Sequence, residues 1–234
     1  MKPICIITAR GNSKRLKNKN IKNFFGKPMI SYPISIAKNS KLFSRIIVST
    51  DSKKISRISR KFGAEIPFMR SKKLSDDFAK TNDVLKDAIR KSGSHKTKYV
   101  FCIYPTAVLI NEKDLKKAFY LMKKNNFDFL IAVTDYNYNP MRSLIFNKGK
   151  LIKYKWKKYS NTRSQDLPYL FHDTGSFYIF KTSTILKNKK KNKIGSYFLD
   201  RLRSIDIDTK EDFELAKILF KYQKKKIENY SKNS

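Results

Sequence analysis

The chain has 234 residues, of which 40% are hydrophobic, and it carries a formal net charge of +34. That apolar fraction excludes an intrinsically disordered chain, and the length suffices for one large α/β domain with its own core. No apolar run approaches the roughly 20 residues of a membrane-spanning helix, and the N-terminus enters a strand at once, without a signal peptide. We therefore expect a cytoplasmic protein with no membrane partner.

The excess of positive charge allows two interpretations. Concentrated on one element, it would indicate a nucleic-acid-binding surface. Here the lysines are spread over the whole chain, and we expect the segment Lys189–Lys191 and the tail from Lys221 to Ser234 to be solvated loops or frayed helix ends. We therefore predict no specific nucleic-acid partner, although the charge favours anionic substrates through electrostatic steering. A non-catalytic nucleic-acid-binding protein stays open as the alternative from another functional class.

Strands and helices alternate along the first part of the chain. Apolar runs predict strands at Ile4–Ile7, Ser44–Asp51, Tyr99–Tyr104 and Phe129–Thr134, and a short strand or extended segment at Glu65–Arg70. Amphipathic periods predict helices at Met29–Asn39, from Ser52 to Gly63, from Thr81 and at Glu112–Asn125. This order predicts an α/β fold, with a mostly parallel sheet and helices on both faces. Ligands of such sheets bind beyond the carboxyl ends of the strands. Four loops should gather at that edge, namely those at Arg10, Asp51, Tyr104 and Thr134.

The alternation breaks between Asp135 and about Gln165. Aromatic residues such as Tyr136 and Trp156, together with an Asn147-Lys148-Gly149 turn, predict a two-stranded β-excursion. Some thirty residues cannot bury an independent core, so we predict a single domain over residues 1–234, with about 135–170 as the excursion. An isolated two-stranded unit is marginally stable and must pack on a partner subunit or on its own domain.

The last part of the chain returns to regular elements. Asp173-Thr174-Gly175 should lead into a strand at Ser176–Phe180, and Arg203–Thr209 should form a short strand before a helix over Lys210–Lys221. The cysteines, Cys5 and Cys102, lie in apolar runs without metal or redox spacing and are predicted to be buried free thiols.

The loop after the first strand is the strongest candidate for binding an anion. It contains Arg10, Gly11, Ser13, Lys14, Arg15, Lys17 and Lys19. A strand, a basic glycine-containing loop and then a helix place backbone N–H groups and cations where a polyphosphate can bind. The loop is neither a P-loop nor a GxGxxG motif, and a solvated surface loop is the alternative.

Two carboxylates near the C-terminus suggest a metal site. Asp206 and Asp208 are two positions apart, so on a strand they share a face. Neighbouring carboxylates repel each other unless a cation or a proton lies between them, and a pair of hard oxygen ligands suits Mg²⁺. Alternatively, Asp208 caps the following helix and Asp206 faces solvent.

A third group of polar residues precedes the strand at Ser176–Phe180. It comprises Arg163, Gln165, Asp166, His172 and Asp173. Arginine suits a carboxylate, and the other side chains suit hydroxyl and amide groups, so the group fits a carboxylated, polyhydroxylated sugar. His172 could instead be a structural histidine. The sequence contains no hydrolase triad signature and no zinc-binding spacing.

Several motifs occur together in one order: Ala9–Arg15, Lys19–Ile21, Gly26–Ile30, Ile47–Asp51, Gly63–Arg70, Leu74–Asp77 and Asp206–Asp212. Over nearly the whole chain this order resembles the cytidylyltransferases that activate nine-carbon sugar acids. The resemblance implies a Rossmann-like nucleotide-diphospho-sugar transferase fold and a homodimer in which the excursion reaches the neighbour. It also implies transfer of CMP from CTP to the anomeric hydroxyl at C2 of a nonulosonic acid, with Mg²⁺ as cofactor and pyrophosphate as the leaving group.

The same resemblance implies roles for individual residues. Arg10, Ser13 and Lys19 would bind the triphosphate, with Gly11 and Lys14 in the same loop. Asn20 would contact the cytosine or the ribose, Arg70 and Thr81 would lie near the nucleotide, and Asp206 and Asp208 would hold the metal. Lys19 is expected to be the largest cationic contributor to the transition state, with Arg10, Asp206 and Asp208 as the other catalytic residues. No general base is evident.

The motifs also indicate which sugar acid is used. Two features are similar to the pseudaminic acid branch of the family. One is Tyr104, in the turn Tyr104–Ala107, and the other is the block Arg163–Pro168 followed by His172–Tyr178. We therefore expect pseudaminic acid. N-acylneuraminate, legionaminate and 3-deoxy sugar acids are the alternatives, and Val108 stands where the family often has proline.

Overall fold

The computed structural model describes residues 2–147, 149, 151–187 and 193–232. Lys148, in the predicted Asn-Lys-Gly turn, and the Lys189–Lys191 segment lie outside the described residues, as do the last two residues of the tail. Among the described residues, Cys5 and Cys102 are buried free thiols, as predicted.

The described residues form ten strands and six α-helices. The strands are β1 (Ile4–Thr8), β2 (Asn23–Phe24), β3 (Lys27–Pro28), β4 (Arg45–Ser49), β5 (Tyr99–Ile103), β6 (Phe129–Asp135), β7 (Leu144–Asn147), β8 (Leu151–Tyr154), β9 (Phe171–Lys181) and β10 (Ile194–Phe198). The helices are α1 (Ser31–Ser40), α2 (Lys53–Lys61), α3 (Thr81–Lys91), α4 (Glu112–Lys124), α5 (Thr182–Leu186) and α6 (Lys210–Lys232).

Six of the strands form the central sheet, in the order β10-β6-β9-β5-β1-β4. β1 runs parallel to both β4 and β5, and β10 runs parallel to β6. β9 is inserted antiparallel between β5 and β6. The predicted α/β fold with a mostly parallel sheet is therefore confirmed.

Helices cover both faces of this sheet because each presents an apolar stripe to it. On one face, α1, α2 and α4 contribute Ile34, Ile55 and Leu115 to a cluster that also contains Phe101. On the other face, α3 and α5 pack against the sheet through a second cluster that includes Leu85, Ile89 and Ile185.

A third apolar cluster lies beside the sheet and fixes the segments that build the site. Phe213 of α6 packs with Leu16 of the loop after β1, with Phe24 of β2 and with Ile207. Ile207 is fully buried. Burial of this one side chain therefore positions the aspartates on either side of it.

Two β-hairpins lie outside the central sheet. β2 and β3 are joined through Phe25 and Gly26, whose φ angles are 48° and 80°, the left-handed pair that a tight hairpin turn requires. β7 and β8 pair antiparallel within residues 135–170 and confirm the predicted two-stranded excursion. Its strands leave large apolar side chains in solvent, with Phe146 81% exposed and Leu151 67% exposed.

The structure corrects the prediction for the C-terminal third. The strand predicted at Ser176–Phe180 begins at Phe171, because β9 continues past an irregularity to pair His172 with Thr134. The strand predicted at Arg203–Thr209 is wrong, since a 3-10 turn at Arg201–Arg203 is followed by extended chain without a strand partner.

Two other elements differ from expectation. β10 was not predicted at all. The last helix, α6, continues to Lys232 instead of ending near Lys221. Within the part of the chain that the structure describes, no helix is both long and apolar enough to cross a membrane.

Candidate active site

A cleft of about 600 Å³ opens beside the carboxyl ends of β1 and β5. Its volume is in the range of sites that bind nucleotides and other small molecules. Ten of the residues predicted for substrate or metal lie on its walls: Arg10, Ser13, Lys14, Lys19, Asn20, Arg70, Thr81, Tyr104, Asp206 and Asp208. Segments separated by most of the chain therefore meet at the predicted edge of the sheet.

The cations of the loop after β1 are paired with carboxylates across the cleft. Lys19 Nζ lies 2.8 Å from Asp208 Oδ1, and Arg15 Nη2 lies 2.6 Å from Asp208 Oδ2. On the other side, Asp77 lies 2.5 Å from both Arg10 and Lys14. These ion pairs with Lys14 and Arg10 hold the pKa of Asp77 below its usual range. The loop thus presents its positive charge to the cleft.

Gly11 has a packing role in this loop. A Cβ at this position would lie 3.0 Å from Ser52 Cβ, a tight contact, so glycine lets the loop approach Ser52 without displacing it. Its N–H donates to Asp51 Oδ1 at 2.8 Å. The backbone donor proposed for a phosphate is therefore already used within the chain.

Asp206 and Asp208 both reach the cleft although no strand holds them. Ile207, buried between them, gives the extended segment the alternation that a strand would have. Partial burial, followed by the charge of Asp208, raises the pKa of Asp206. The start of α6 is capped by Thr209 Oγ1, which accepts from the Asp212 N–H at 3.2 Å. The aspartates are therefore not needed as helix caps.

The carboxylate pair fits a magnesium site. Asp206 forms no hydrogen bond with the described residues, and its raised pKa indicates that a cation would stabilise its charged form. Within the described ranges, no group of three or more His, Cys, Asp and Glu side chains could hold a metal ion. A pair of carboxylates suits Mg²⁺, which completes its shell with water and substrate phosphates.

Two buried polar groups at the cleft lack hydrogen-bond partners among the described residues. They are Nε and Nη2 of Arg70 and Oδ1 of Asn20. The Arg70 side chain is only 4% exposed, and its Nη2 forms a long ion pair with Asp51 Oδ1 at 3.9 Å. Burial lowers the pKa of Arg70. Because an unsatisfied buried donor costs about 1–3 kcal/mol, these groups are strong candidates for ligand contacts.

Tyr104 belongs to a small polar cluster at one end of the cleft. Its hydroxyl lies 3.0 Å from Thr81 Oγ1, and its ring meets that of Tyr178 edge to face with centroids 5.7 Å apart. Tyr178 donates a hydrogen bond to Oδ2 of Asp173. Burial raises the pKa of Tyr104 to about 12, and that of Tyr178 is also raised, by burial and then by the bond to Asp173.

The structure does not bring the other predicted sugar-binding residues to this cleft. Arg163 pairs with Asp166 at 2.7 Å, and Gln165 is exposed in the 3-10 turn between them. His172 packs on Tyr136 with ring centroids 4.8 Å apart. Asp173 also lies outside the walls of the cleft, and it bonds to Tyr178, whose ring packs against the cleft residue Tyr104.

Sequence reasoning gave no role to two residues that line the cleft, Asp77 and Arg15. Asp77 stands in the Leu74–Asp77 motif, and Arg15 stands among the basic residues of the loop, so both could have been found there. Their pairing with distant partners has no local sequence signal.

The sheet, the basic loop and the carboxylate pair together define a nucleotidyltransferase site at the carboxyl edge of an α/β fold. Among solved structures, a CMP:2-keto-3-deoxy-manno-octonic acid synthetase complexed with CTP superimposes with a TM-score of 0.72 at 16% identity, covering 95% of this chain and all of the other. The Cytidylyltransferase family profile matches residues 4–233, and the chain belongs to that family of enzymes. The predicted nucleotidyltransferase fold is confirmed.

Three relatives show where the chain lies within the family. It is 40% identical over 225 residues to the pseudaminic acid cytidylyltransferase of Campylobacter jejuni, covering 94% of this chain and 97% of the relative. To the CMP-N,N'-diacetyllegionaminic acid synthase of the same species it is 35% identical over 223 residues, covering 92% and 94%. To the N-acylneuraminate cytidylyltransferase of Streptococcus agalactiae it is 30% identical over 236 residues, covering 98% and 56%.

Proposed function

We propose that the protein transfers CMP from CTP to the anomeric hydroxyl of a nonulosonic acid, with pseudaminic acid as the sugar. The observation that carries this proposal is the cleft itself, where four cations of the loop after β1, the Asp206 and Asp208 carboxylates and the unsatisfied donors of Arg70 converge. The 40% identity to a pseudaminic acid cytidylyltransferase over nearly its full length supports the choice of sugar.

The triphosphate of CTP would bind to Arg10, Ser13, Lys14 and Lys19. The three cations among them would stabilise negative charge that grows on the α-phosphate and on the leaving pyrophosphate, from positions fixed before the reaction starts. Lys19 is the best placed of them, because its side chain is only 20% exposed. A partly desolvated cation interacts more strongly with phosphate than an exposed one does.

The base would lie against Arg70 and Asn20. Arg70 offers two unsatisfied donors, and cytosine presents two adjacent acceptors, O2 and N3. Uracil carries a hydrogen on N3 and cannot accept there. The unsatisfied donors therefore favour CTP over UTP.

Asp206 and Asp208 would hold Mg²⁺. When bound, the ion neutralises charge on the phosphates and orients them. Asp208 already pairs with Lys19 and Arg15, so the chain's own cations hold its carboxylate at the cleft.

The sugar acid would bind at the Tyr104 end of the cleft. The other predicted sugar-binding residues lie in or next to the excursion: Arg163, Gln165 and Asp166 belong to it, and His172 follows it at the start of β9. We infer that they reach a sugar only when two subunits associate. The exposed Phe146 and Leu151 on the excursion support a homodimer formed through it. The protein would act in the cytoplasm, where CTP is available, without a specific nucleic-acid partner.

Pyrophosphate release tests the proposal. The enzyme is incubated with CTP or UTP, Mg²⁺ and, in parallel, pseudaminic, N,N'-diacetyllegionaminic, N-acetylneuraminic or a 3-deoxy sugar acid. Release with CTP and pseudaminic acid, lost in Asp208→Asn, is the expected result. Release with another sugar acid alone would keep CMP transfer and overturn the choice of sugar. A folded protein that releases no pyrophosphate with any of them would overturn the proposed function.

A further inference from the structure

Strand β9 contains a turn beside the cleft to which the proposed function assigns no role. The register between β6 and β9 shifts there, because the two steps from Ile131 to Val133 along β6 are matched by the five steps between Tyr178 and Asp173 along β9. We call residues 173–176 the β9 turn. Irregularities of this kind recur next to active sites, where they change the direction of side chains.

The β9 turn is anchored on both sides by neighbouring strands of the central sheet. The N–H of Tyr104, the residue directly after β5, donates to the Ser176 carbonyl at 2.9 Å. On the other side, Thr174 Oγ1 donates to the Ala132 carbonyl of β6 at 3.1 Å. Thr174 and Ser176 are both buried. The sheet therefore holds the turn in one place.

The side chain of Asp173 fixes the conformation of the turn. Its Oδ1 accepts from the Gly175 N–H at 2.8 Å, and its Oδ2 accepts from the Tyr178 hydroxyl. Gly175 has a φ of 60°, a left-handed conformation that glycine adopts without strain. Both carboxylate oxygens of Asp173 are thus bonded within β9, which explains why this predicted sugar-binding residue does not line the cleft.

Gly175 faces the carboxylate of Asp206. A Cβ at position 175 would lie 3.4 Å from both Cγ and Oδ2 of Asp206 and 3.6 Å from Oδ1, in van der Waals contact with the whole carboxylate. Glycine leaves this space beside both oxygens open. Mg²⁺ gives up its water reluctantly and usually keeps several water ligands, so a carboxylate that binds it needs such space.

We propose that the β9 turn, fixed by Asp173 and Gly175, makes room for the Asp206 carboxylate and for the water shell of the metal that it binds. This inference deepens the proposed function and rests on its assignment of Asp206 as a metal ligand. Asp173 and Gly175 are positioning residues, since neither lines the cleft and both act through Asp206.

Binding of Mn²⁺ to the protein alone tests the inference, with the free ion followed by electron paramagnetic resonance. Gly175→Ala places a methyl group against the Asp206 carboxylate. It should weaken Mn²⁺ binding by about tenfold, which is within the range usual for changes just outside the ligands of a metal site.

Gly93→Ala is the matched control. Gly93 has a φ of 68°, and apart from its chain neighbours no described residue lies within 4 Å of a Cβ added there. It follows the end of α3 that is opposite to the cleft residue Thr81. Both alanine variants therefore introduce similar backbone strain and should lower the Tm similarly, but Gly93→Ala should keep the wild-type Mn²⁺ affinity.

Two substitutions of Asp173 separate the shape of the turn from its charge. Asp173→Ala removes the acceptor of the Gly175 N–H and should weaken Mn²⁺ binding by a factor similar to that of Gly175→Ala. Asp173→Asn keeps a side-chain oxygen that accepts from this N–H, so it should restore the wild-type affinity. Loss of affinity in both Asp173 variants would indicate that the charge matters, and would overturn the role given to the turn.

The remaining outcomes also decide the inference. Wild-type Mn²⁺ affinity in Gly175→Ala would overturn it, and so would equal weakening in Gly93→Ala. A wild-type protein that binds no Mn²⁺ would overturn the metal site and this inference together. A wild-type protein that binds Mn²⁺ but releases no pyrophosphate with any sugar acid would overturn the proposed CMP transfer, while the Mn²⁺ affinities of the variants would still decide the role of the turn.

Discussion

Lys19 Nζ lies 2.8 Å from Asp208 Oδ1, so a cation assigned to the triphosphate and a carboxylate assigned to the metal meet across the cleft. The two residues are 189 positions apart in the chain. Each of the two charges neutralises the other. Phosphate and metal would bind to a site whose charges are already in place.

Replacing Lys19 with methionine should slow the reaction by about 10²–10³-fold, because a partly buried cation that faces the growing phosphate charge is lost. Pyrophosphate release at saturating CTP measures the change. Lys17→Met is the control, since Lys17 is an exposed lysine of the same loop that does not line the cleft. Equal rates in the two variants would contradict the assignment of Lys19.

Replacing Asp206 with asparagine should stabilise the metal-free protein at neutral pH and abolish activity. The pKa of Asp206 is raised in the folded state, so its contribution to stability is full below its unfolded pKa of about 4 and is lost as pH rises through the folded value. Asparagine does not ionise, so the variant does not lose this stability as the pH rises. Thermal unfolding in EDTA should therefore show a higher Tm at pH 7 and a smaller pH dependence above pH 4.

Addition of Mg²⁺ gives the second readout for Asp206. The ion should raise the Tm of the wild-type protein by mass action and leave that of Asp206→Asn nearly unchanged. Asp83→Asn, an exposed carboxylate in the first turn of α3, is the control. An equal Mg²⁺ response in all three proteins would argue against a metal at Asp206.

Asp77 pairs with Arg10 and Lys14, the cations proposed to bind the triphosphate, so Asp77→Asn should lower the KM for CTP. The groups are exposed, and we expect a modest effect of about two- to fivefold that fades at high salt. Initial rates at low and at high ionic strength would show it. A higher KM in the variant would mean that Asp77 instead helps to bind the nucleotide.

Arg70→Met should weaken CTP binding by about 10–100-fold, the loss expected for hydrogen bonds from a charged donor. Because Nε and Nη2 have no hydrogen-bond partner among the described residues, folding stability should not fall. Calorimetric titration with CTP and UTP, with Arg57→Met as an exposed control, tests both parts. Unchanged discrimination between the nucleotides would place the base elsewhere.

Phe146→Asp should weaken the proposed dimer. The side chain is 81% exposed on the excursion, and a charge there opposes burial against a neighbour. Light scattering after size exclusion gives the mass. Tyr120→Asp, which adds the same charge at a position on α4 that is 58% exposed, should leave the mass unchanged. A wild-type protein that is monomeric throughout would exclude the dimer.

The sequence by itself determined the elements whose signals are local. Apolar periods located α1 to α4 and the parallel strands β1, β4, β5 and β6, and motif order identified the family. Ten predicted residues reached one cleft because parallel strands end at a common edge. These features depend on neighbouring residues, so one sequence suffices to predict them.

Tertiary structure alone decided the features that depend on distant contacts. β9 starts at Phe171 because β6 pairs with His172, and Asp206 and Asp208 are oriented by the burial of Ile207 rather than by a strand. The pairing of Lys19 with Asp208 and the hydrogen bond between Thr81 and Tyr104 likewise join segments that no local propensity connects. Such contacts form only when the whole chain is packed, since each depends on the position of elements far away in sequence.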